Sequence, residues 1–436
     1  MIKSVRGVYD ILPDKSSMWQ QIEKIIKDIF FCFGYREIRT PIFEYTDLFS
    51  KSIGDQTDIV TKEMYTFADR NNNLLTLRPE GTASVVRAYI EHKLSREIWG
   101  NKLYYVGPMF RYERPQAGRA RQFHQIGVES FGLENPEIDA EQIILLDTLL
   151  KAIFGEAHKG HFHVDINSLG CRECRPRYQG ELKNYLATIA HELCSDCQTR
   201  YKKNPLRVLD CKNKLCKDRL GDFPSMESYL CHSCREHFNS LHTLLETSKV
   251  EYQVNRKLVR GLDYYTRTTF EVLSDLLGAQ NAIAGGGRYD YLVENFGGPP
   301  TPACGFALGM ERLIMALSDS FSSPCLPMLF YLVFLGDRAR KEAFTLLSRL
   351  RIFSSKSGSK FSIEMDYGDR SFKSQMRMAN KKGASFALIL GDNEIEQGQI
   401  LLKNMADGKQ ETILFNQLEN AVLQKVIYKE NGCGTD

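Results

Sequence analysis

Hydrophobic residues recur at helical spacing near the start of the chain, which predicts an amphipathic helix. Its apolar stripe comprises Trp19, Ile22, Ile26, Ile29, Phe30 and Phe33. Ser16 or Ser17 is expected to cap the first turn, and Gly34 marks the end of the helix. The segment Glu37–Tyr45, which contains Pro41, then predicts a strand.

The middle of the chain predicts strands, interrupted by one segment of different character. Two strands are expected within Leu103–Phe131, around a polar loop at Glu113–Arg121. Cys171–Ser248 is rich in cysteine, basic residues and helix formers, and predicts an inserted helical module. Strand patterns return in three short segments: Glu251–Val254, Thr268–Val272 and Ala282–Ala284. A further helix is expected to begin near Gly309.

A serine- and proline-rich segment then predicts a linker, formed by Ser322, Ser323, Pro324 and Pro327. Beyond it strands alternate with helical stretches, which indicates a separate α/β domain of about 100 residues. The expected strands of this domain are Leu329–Leu335, Phe361–Met365, Phe386–Leu390 and Ile400–Lys403. We therefore divide the sequence into residues 1–325, with residues 171–248 as an insertion, and residues 326–436.

The composition is that of a globular protein, with 43% hydrophobic and 25% charged residues. The most apolar run, Met328–Leu335, is far shorter than the ~20 residues that a membrane-spanning helix needs. Met1–Asp10 is charged and lacks the apolar core of a secretory signal. We therefore expect a cytoplasmic protein that does not contact a membrane. Because the net charge is only +3, binding to a polyanion would require a local basic patch.

Twelve cysteines in such a chain predict reduced thiols or a metal site before they predict disulfides. Cys171, Cys174, Cys194 and Cys197 form two C-x-x-C pairs at the spacing of a four-thiolate zinc site, which would stabilise the helical module. Four further cysteines of the module leave the choice of ligands open: Cys211, Cys216, Cys231 and Cys234. A set of reduced, partly buried thiols is the alternative.

The second strand of the predicted pair has one polar face. Strand alternation places Gln125, Gly127 and Glu129 on that face and the hydrophobic residues between them on the other. The preceding strand would bring Arg111 and Glu113 nearby if the two strands were antiparallel. A polar face with a glycine gap suits a charged small molecule, whereas a solvated outer face is the structural alternative.

Arginines concentrate in the loop between these strands, at positions 114, 119 and 121. Since arginine binds phosphate through two parallel hydrogen bonds, the loop is suited to a nucleotide or an RNA end. A solvated hairpin tip explains the same charges.

Three other segments could carry chemistry. Thr82 is expected to cap a helix, and Glu80 either accepts a substrate amine or complements the helix dipole; residue chemistry alone favours the dipole. The glycines before Arg288 could line a base or phosphate, although their spacing is neither a Walker nor a Rossmann pattern. Arg312 falls in the first turn of a helix, where a cation opposes the dipole, so a bound phosphate would explain it.

Together these segments resemble the histidyl-tRNA synthetases, a family of class II aminoacyl-tRNA synthetases, over residues 5–426. The stretch from the Gly34 turn to Pro41 resembles motif 1, the dimer-forming element of the class. Phe110–Glu129 resembles motif 2, and Gly305–Leu313 resembles motif 3. Arg260–Tyr265 and Gly285–Tyr289 resemble the two segments that are peculiar to the histidine enzyme.

The resemblance implies an α+β fold with an antiparallel catalytic sheet flanked by helices, a helical insertion and a C-terminal α/β anticodon-binding domain. It implies that ATP, with Mg²⁺, activates histidine, which is then transferred to its tRNA by a homodimeric enzyme. A catalytically inactive regulatory subunit that binds histidine is the main alternative, but such relatives tend to lose the arginines found here. An enzyme for another amino acid and an RNA-binding module fit the motifs less well.

The resemblance also assigns roles to residues. It implies that Arg111, Arg260 and Arg312 stabilise the phosphates during catalysis. The residues that it places around histidine and ATP are Glu80, Gly81, Thr82, Arg111, Gln125, Glu129, Arg260, Tyr264 and Tyr265. Its candidates for contact with the acceptor end of the tRNA are Arg114, Gln116, Arg119 and Arg121.

Overall fold

The structure, a computed structural model, describes residues 2–54, 57, 59–98, 100–155, 160–278, 281–317, 328–368 and 370–432. The chain divides into two compact units, residues 1–322 and residues 323–436. The predicted linker and the predicted boundary between residues 325 and 326 lie outside the described residues. Each unit has a hydrophobic core of its own.

The first unit is built on a large sheet. Its strands are β1 (Arg36–Glu37), β2 (Phe43–Tyr45), β3 (Tyr65–Ala68), β4 (Leu74–Leu77), β5 (Lys102–Phe110), β6 (Gln122–Phe131), β7 (Phe162–Ser168), β8 (Gln253–Val254), β9 (Thr266–Ser274), β10 (Ala282–Arg288) and β11 (Ala303–Gly309). Eight of them form one sheet in the order β1-β5-β6-β11-β10-β9-β7-β8, and β2, β4 and β3 form a small second sheet. The central pairs of the large sheet, from β5 to β7, are all antiparallel.

Helices cover the hydrophobic face of this sheet and form the inserted module. They are α1 (Pro13–Cys32), α2 (Thr46–Ile53), α3 (Thr82–Glu91), α4 (Pro136–Phe154), α5 (Cys174–Thr188), α6 (Ser195–Lys203), α7 (Leu206–Leu209), α8 (Lys214–Arg219), α9 (His232–Thr247), α10 (Leu292–Asn295) and α11 (Met310–Ala316). Ile126 and Val128 of β6 share a core with residues of α1 and α4, so the other face of β6 is free to carry polar side chains. Cys171–Ser248 is helical as predicted and has a hydrophobic core of its own.

Two local predictions at the start of the chain are wrong. The first helix begins at Pro13, because proline suits the first turn of a helix, and Ser16 and Ser17 lie inside it. Their hydroxyls donate to carbonyls one turn earlier instead of capping the helix. The predicted strand Glu37–Tyr45 is two strands, β1 and β2, which belong to different sheets and are separated at Pro41.

The second unit is an α/β domain, as predicted. Its strands are β12 (Met328–Phe334), β13 (Phe361–Met365), β14 (Phe386–Leu390), β15 (Gln399–Asn404) and β16 (Gln410–Leu414). Its helices are α12 (Asp337–Lys356), α13 (Phe372–Lys381), α14 (Asp392–Glu396) and α15 (Leu418–Gly432). The sheet order is β13-β12-β14-β15-β16, parallel in its first three strands. Within the described part of the chain, no helix is both long and apolar enough to cross a membrane.

Candidate active site

The polar face of strands β6, β10 and β11 forms one side of a cavity of about 210 Å³. The loop after β5, the segment at residues 260–265 and the first turns of α3 and α11 supply the remaining walls. Of the predicted site residues, those that line the cavity are Glu80, Thr82, Arg111, Arg119, Gln125, Arg260, Tyr264, Tyr265 and Arg312. Segments far apart in the sequence therefore converge on one site.

The three arginines predicted to be catalytic all line this cavity, and each is held by a specific contact. The Arg111 Nε donates to the carbonyl of Pro79 at 2.9 Å. Arg312 donates from Nη1 to the carbonyl of Ala282 at 2.7 Å, and from Nε to a loop carbonyl. Arg260 donates from Nη1 to the Glu271 carboxylate at 2.6 Å. Fixed guanidinium groups around one space favour an anion with several oxygens, such as a phosphate chain.

Carboxylates line the same cavity, so the local charge depends on how they are paired. Glu113 pairs with Arg119 at 2.9 Å, and Glu271 pairs with Arg260. Glu311 accepts from the backbone N–H of His124 at 2.9 Å and contacts its ring. Arg111 and Arg312 donate the bonds described above to uncharged backbone carbonyls, so those bonds do not neutralise their positive charges.

Two glycines create the space that charged side chains occupy. A Cβ atom on Gly285 would lie 2.2 Å from Nη2 of Arg260, so any other residue would displace the guanidinium. A Cβ atom on Gly305 would lie 1.9 Å from Oε2 of Glu129. The glycines of β10 and β11 are therefore explained by the side chains that cross over them. Arg288, in contrast, is fully buried and pairs with Asp139. Its own side chain therefore does not face a bound phosphate.

Glu80, and not Thr82, caps α3. The Glu80 carboxylate accepts from the backbone N–H groups of Thr82 at 2.7 Å and Ala83 at 2.9 Å. The expected Thr82 cap is wrong, because Thr82 is the first helical residue and its hydroxyl points to Glu129. Burial raises the pKa of Glu80, and the N–H groups of the helix end oppose that shift. Glu80 lines the cavity as well as capping the helix, so the two suggested roles are compatible.

Glu129 lies directly behind Thr82 and is fully buried. Its Oε1 accepts from the Thr82 hydroxyl at 2.7 Å, and its Oε2 accepts from the hydroxyl of Tyr289. Burial raises the pKa of the Glu129 carboxyl to about 8. The group is therefore mainly protonated at neutral pH in this protein, and it can give a proton to a base that approaches it.

Glu129→Gln should flatten the pH dependence of stability. The unfolded carboxyl releases its proton near pH 4.5, whereas the folded one holds it to about pH 8. The free energy of unfolding therefore falls as pH rises through this window, by up to about 1.4 kcal/mol per pH unit for one proton. Glutamine cannot ionise, so the variant lacks this contribution. Urea denaturation of both proteins between about pH 5 and pH 8 measures the difference, and parallel profiles would contradict the expectation.

Aromatic residues enclose the end of the cavity near Glu129. Tyr264 and Tyr265 lie with their ring centres 4.7 Å apart, and Tyr264 contacts the ring of Tyr289 at 5.6 Å. Gln125 Oε1 and Arg260 Nε are buried polar atoms with no hydrogen-bond partner among the described residues. A polar ligand in the cavity would satisfy such atoms.

The loop between β5 and β6 ends in a tight turn. Gln116 and Arg119 exchange backbone hydrogen bonds of 3.1 and 2.9 Å, and Gly118 adopts the positive φ of 70° that the turn requires. The carbonyl of Gly118 accepts from Nε of Arg312 at 3.1 Å. The loop tip therefore lies against the first turn of α11.

The four predicted tRNA-contacting residues of this loop have different environments. Arg119 points into the cavity, and the Arg121 guanidinium lies 4.0 Å from the ring centre of Tyr112. Arg114 and Gln116 are exposed. The exposed pair is thus available to a macromolecule, whereas Arg119 belongs to the wall of the cavity.

The four cysteines predicted to bind one zinc ion do not come together. Cys171 and Cys174 lie in one thiol cluster, and Cys194 and Cys197 lie in another. Each cluster is completed by two of the cysteines that had left the assignment open. The prediction of a single site from these four residues is therefore wrong, because the chain folds each C-x-x-C pair against a different partner pair.

Several site residues were not found from the sequence. They are Tyr105, Phe123, Glu271, Tyr289 and Glu311. Tyr105 stands opposite Gly127 in the β5–β6 pairing, and a Cβ atom on Gly127 would lie 2.4 Å from the Tyr105 ring. A tyrosine paired with a glycine is a usable signal, but only once the register of the two strands is known.

Comparison with known proteins identifies the two units. Residues 7–313 match the family model described as histidyl-tRNA synthetase, and residues 330–425 match the model of an anticodon binding domain. A histidine–tRNA ligase of Halothermothrix orenii is 49% identical over 430 residues, which is 98% of this chain and 100% of that protein. One from Syntrophotalea carbinolica is 46% identical and covers 97% of this chain and 99% of its own length.

A solved structure leads to the same conclusion. The apo histidyl-tRNA synthetase of S. aureus superposes with a TM-score of 0.79 at 37% identity, covering 97% of this chain and 99% of its own. The antiparallel sheet with its arginine-lined cavity is thus the catalytic fold of a class II aminoacyl-tRNA synthetase, and the second unit is an anticodon-binding domain. Within that class, the chain belongs to the histidyl-tRNA synthetase family.

Proposed function

We propose that the protein activates histidine with ATP, which yields histidyl-adenylate and pyrophosphate, and then transfers histidine to the 3′ end of its tRNA with release of AMP. The observation that carries this proposal is the convergence of Arg111, Arg260 and Arg312 on one cavity. Tyr264 in the wall of that cavity packs against Tyr289, whose hydroxyl donates to the buried Glu129 carboxyl. The arginines suit a triphosphate, and the carboxyl group suits a small polar side chain.

In the first step the carboxylate of histidine attacks the α-phosphorus of ATP. A C–O–P bond forms, the bond to the β-phosphate oxygen breaks, and pyrophosphate leaves. Negative charge grows on the phosphate oxygens, so fixed cations in the cavity stabilise the transition state more than the ground state. Arg111 and Arg260 are assigned to the α-phosphate. Arg312, whose Nε donates to the Gly118 carbonyl at the loop tip, is assigned to the γ-phosphate.

The other end of the cavity is assigned to histidine. Glu80, Thr82 and Gln125 line the cavity and are assigned to its amino and carboxylate groups. Glu129 and Tyr264 are assigned to the two ring nitrogens, with Tyr265 beside them and Gly81 leaving room for Tyr105. Two polar partners for two nitrogens give selectivity, because an analogue without them would leave a buried polar group unpaired.

Mg²⁺ is expected to enter with ATP. Magnesium is usually held by substrate phosphates, water and one or two carboxylates. Glu113, Glu271 and Glu311 line the cavity and offer ligands of this type, so the residues present fit the ion. Bound there, Mg²⁺ would offset charge on the β- and γ-phosphates.

The tRNA is the macromolecular partner that we propose. Arg114 and Gln116 are exposed on a loop whose Arg119 faces the cavity, so they can contact the acceptor end while the loop holds ATP. Arg119 and Arg121 remain candidates that would first have to leave their present partners. We place the reaction in the cytoplasm, where ATP, histidine and tRNA occur together.

ATP–pyrophosphate exchange, measured with one amino acid at a time, tests the proposed function. Exchange with histidine alone is expected. A folded protein that exchanges with no amino acid would instead be a regulatory subunit that binds histidine. The presence of all three arginines in the cavity argues against that alternative.

We further propose that the protein is a homodimer, since the small sheet has an unburied apolar face. Residues paired across β2, β4 and β3 lie on the same face, and they are Phe43, Tyr45, Tyr65, Phe67, Leu75 and Leu77. None of the six is buried, and Phe43 is 52% exposed. A contiguous apolar surface of this kind marks a protein–protein interface, and this sheet directly follows the motif 1 segment.

Phe43→Glu combined with Phe67→Glu should convert the dimer to a monomer. The centres of the two rings are 6.4 Å apart and the rings pack edge to face, so charges at both positions disrupt the apolar face. Light scattering coupled to size-exclusion chromatography measures the mass. Phe344→Glu, at an exposed phenylalanine of the second unit, is the matched control and should leave the mass unchanged. A wild-type monomer, or a dimer that survives both charges, would exclude this interface.

A further inference from the structure

The helical module holds eight cysteines in two compact sets. Cys171, Cys174, Cys231 and Cys234 form the first set, and Cys194, Cys197, Cys211 and Cys216 form the second. In each set, the four sulfur atoms all lie within 4.8 Å of one another. Among the described residues, these two sets are the places where three or more histidine, cysteine, aspartate or glutamate side chains lie close enough together to hold one metal ion.

The separations of the sulfur atoms fit one particular geometry. A zinc–sulfur bond is about 2.3 Å, so the edge of a ZnS₄ tetrahedron is about 3.8 Å. Cys171 and Cys174 place their sulfurs 3.6 Å apart, and Cys171 and Cys231 place theirs 4.0 Å apart. In the second set, the sulfurs of Cys194 and Cys211 are 3.9 Å apart. These distances bracket the tetrahedral value.

We propose that the module binds two zinc ions, each through four thiolates: one ion in the first set and one in the second. Disulfides do not explain the arrangement, because an S–S bond is about 2.05 Å and would join sulfurs in twos, not gather four. Four-sulfur sites bind zinc or iron, and thiolate ligands disfavour the hard ions Mg²⁺ and Ca²⁺.

Backbone N–H groups are positioned to stabilise thiolates. The N–H of Cys231 donates to Sγ of Cys174 at 3.0 Å. The N–H of Cys194 donates to Sγ of Cys216 at 3.2 Å. Each bond links the two halves of a set, and hydrogen bonds to ligand atoms are the usual second layer of a metal site. The same arrangement recurs in both sets, although the two sets have no residue in common.

Helix ends contribute to both sets. Cys174 is the first residue of α5. Cys231 immediately precedes α9, and Cys234 lies in the first turn of that helix. Cys194 precedes α6, and Cys197 lies in its first turn. The positive end of a helix lowers the cost of a thiolate, which is the form that binds metal. The sulfurs thus lie where the negative charge of a tetrathiolate site is partly compensated.

The two sites would hold the module together at different points. The first joins the start of α5 to the start of α9, the first and last helices of the module. The second joins the start of α6 to the segment around α8, and both lie between α5 and α9 in the chain. The cysteines belong to the hydrophobic core of the module, where Tyr178, Leu182 and Leu220 are buried beside them. A small core of this size gains stability from metal crosslinks.

Metal analysis of the full chain, purified without a polyhistidine tag after expression with zinc, tests the proposal. About two equivalents of zinc per chain are expected. Cys231→Ser and Cys211→Ser should each lower the content to about one equivalent, and the double variant should bind about none. Cys32→Ser, which replaces an exposed cysteine outside the module, is the matched control and should keep two equivalents.

A measurement on the wild-type protein guards against variants that fail to fold. X-ray absorption at the zinc edge should show about four sulfur neighbours at about 2.3 Å, with no nitrogen neighbour. Less than about a tenth of an equivalent of zinc in the wild-type protein would overturn the proposal. Iron in place of zinc, or one equivalent that only one of the two cysteine variants removes, would overturn the assignment of two zinc sites.

Discussion

Arg260→Ala should slow histidyl-adenylate formation by about 100- to 1,000-fold while leaving histidine binding nearly unchanged. Its guanidinium lies over Gly285 in the cavity and is held by Glu271, so it is oriented before the substrates bind. A pre-oriented cation at an oxygen that gains charge lowers the barrier without reorganisation. Alanine removes that charge and leaves Glu271 unpaired, which adds repulsion toward the phosphates.

Pre-steady-state adenylate formation and histidine binding by calorimetry separate the two effects. Arg256→Ala is the matched control, because Arg256 shortly precedes Arg260 in the chain and has an exposed side chain. It should react at the wild-type rate. If the Arg260 variant also turned over near the wild-type rate, Arg260 would have no part in the chemistry.

Glu129→Gln should weaken histidine binding by about 10- to 100-fold and change ATP binding little. Glutamine is uncharged and has nearly the same shape as the neutral carboxyl group. Its oxygen can still accept from Thr82 or Tyr289, whereas its amide nitrogen must donate to the other hydroxyl, so one of the two bonds reverses. The amide cannot pass a proton to the imidazole, however, and the ion pair that would form on binding is lost. The loss should fall on histidine because we assign the phosphates to the arginines and the imidazole to Glu129.

Separate titrations of the variant with histidine and with a non-hydrolysable ATP analogue distinguish the two affinities. Glu134→Gln, at a mostly exposed carboxylate, serves as the control and should bind both ligands normally. Equal weakening of both ligands would mean that Glu129 only supports the structure of the site.

Much of the architecture was predictable from the sequence. Helical spacing indicated α1 and strand alternation indicated β6, because each element buries one face and exposes the other. The change of composition at Cys171 marked the helical module, and the alternating pattern after residue 328 marked the second unit. The order of the motifs was enough to predict the family, since each motif has a local sequence signature.

Local patterns did not determine how distant residues pair. Arg260 requires a glycine at residue 285, and Glu129 requires one at residue 305, yet nothing in either segment specifies its partner. The cysteines show the same limit, because sequence spacing favoured joining Cys171 with Cys194, whereas folding brings Cys171 to Cys231.

The sequence by itself determined which elements form and which chemistry they carry, because secondary structure and motif identity depend on neighbouring residues. The tertiary structure decided which side chains share the cavity, that Glu80 caps α3 in place of Thr82, and that the thiols form two sets. These outcomes depend on strand register and helix packing. Both are set by the burial of hydrophobic surface over the whole unit, to which residues from every part of the chain contribute.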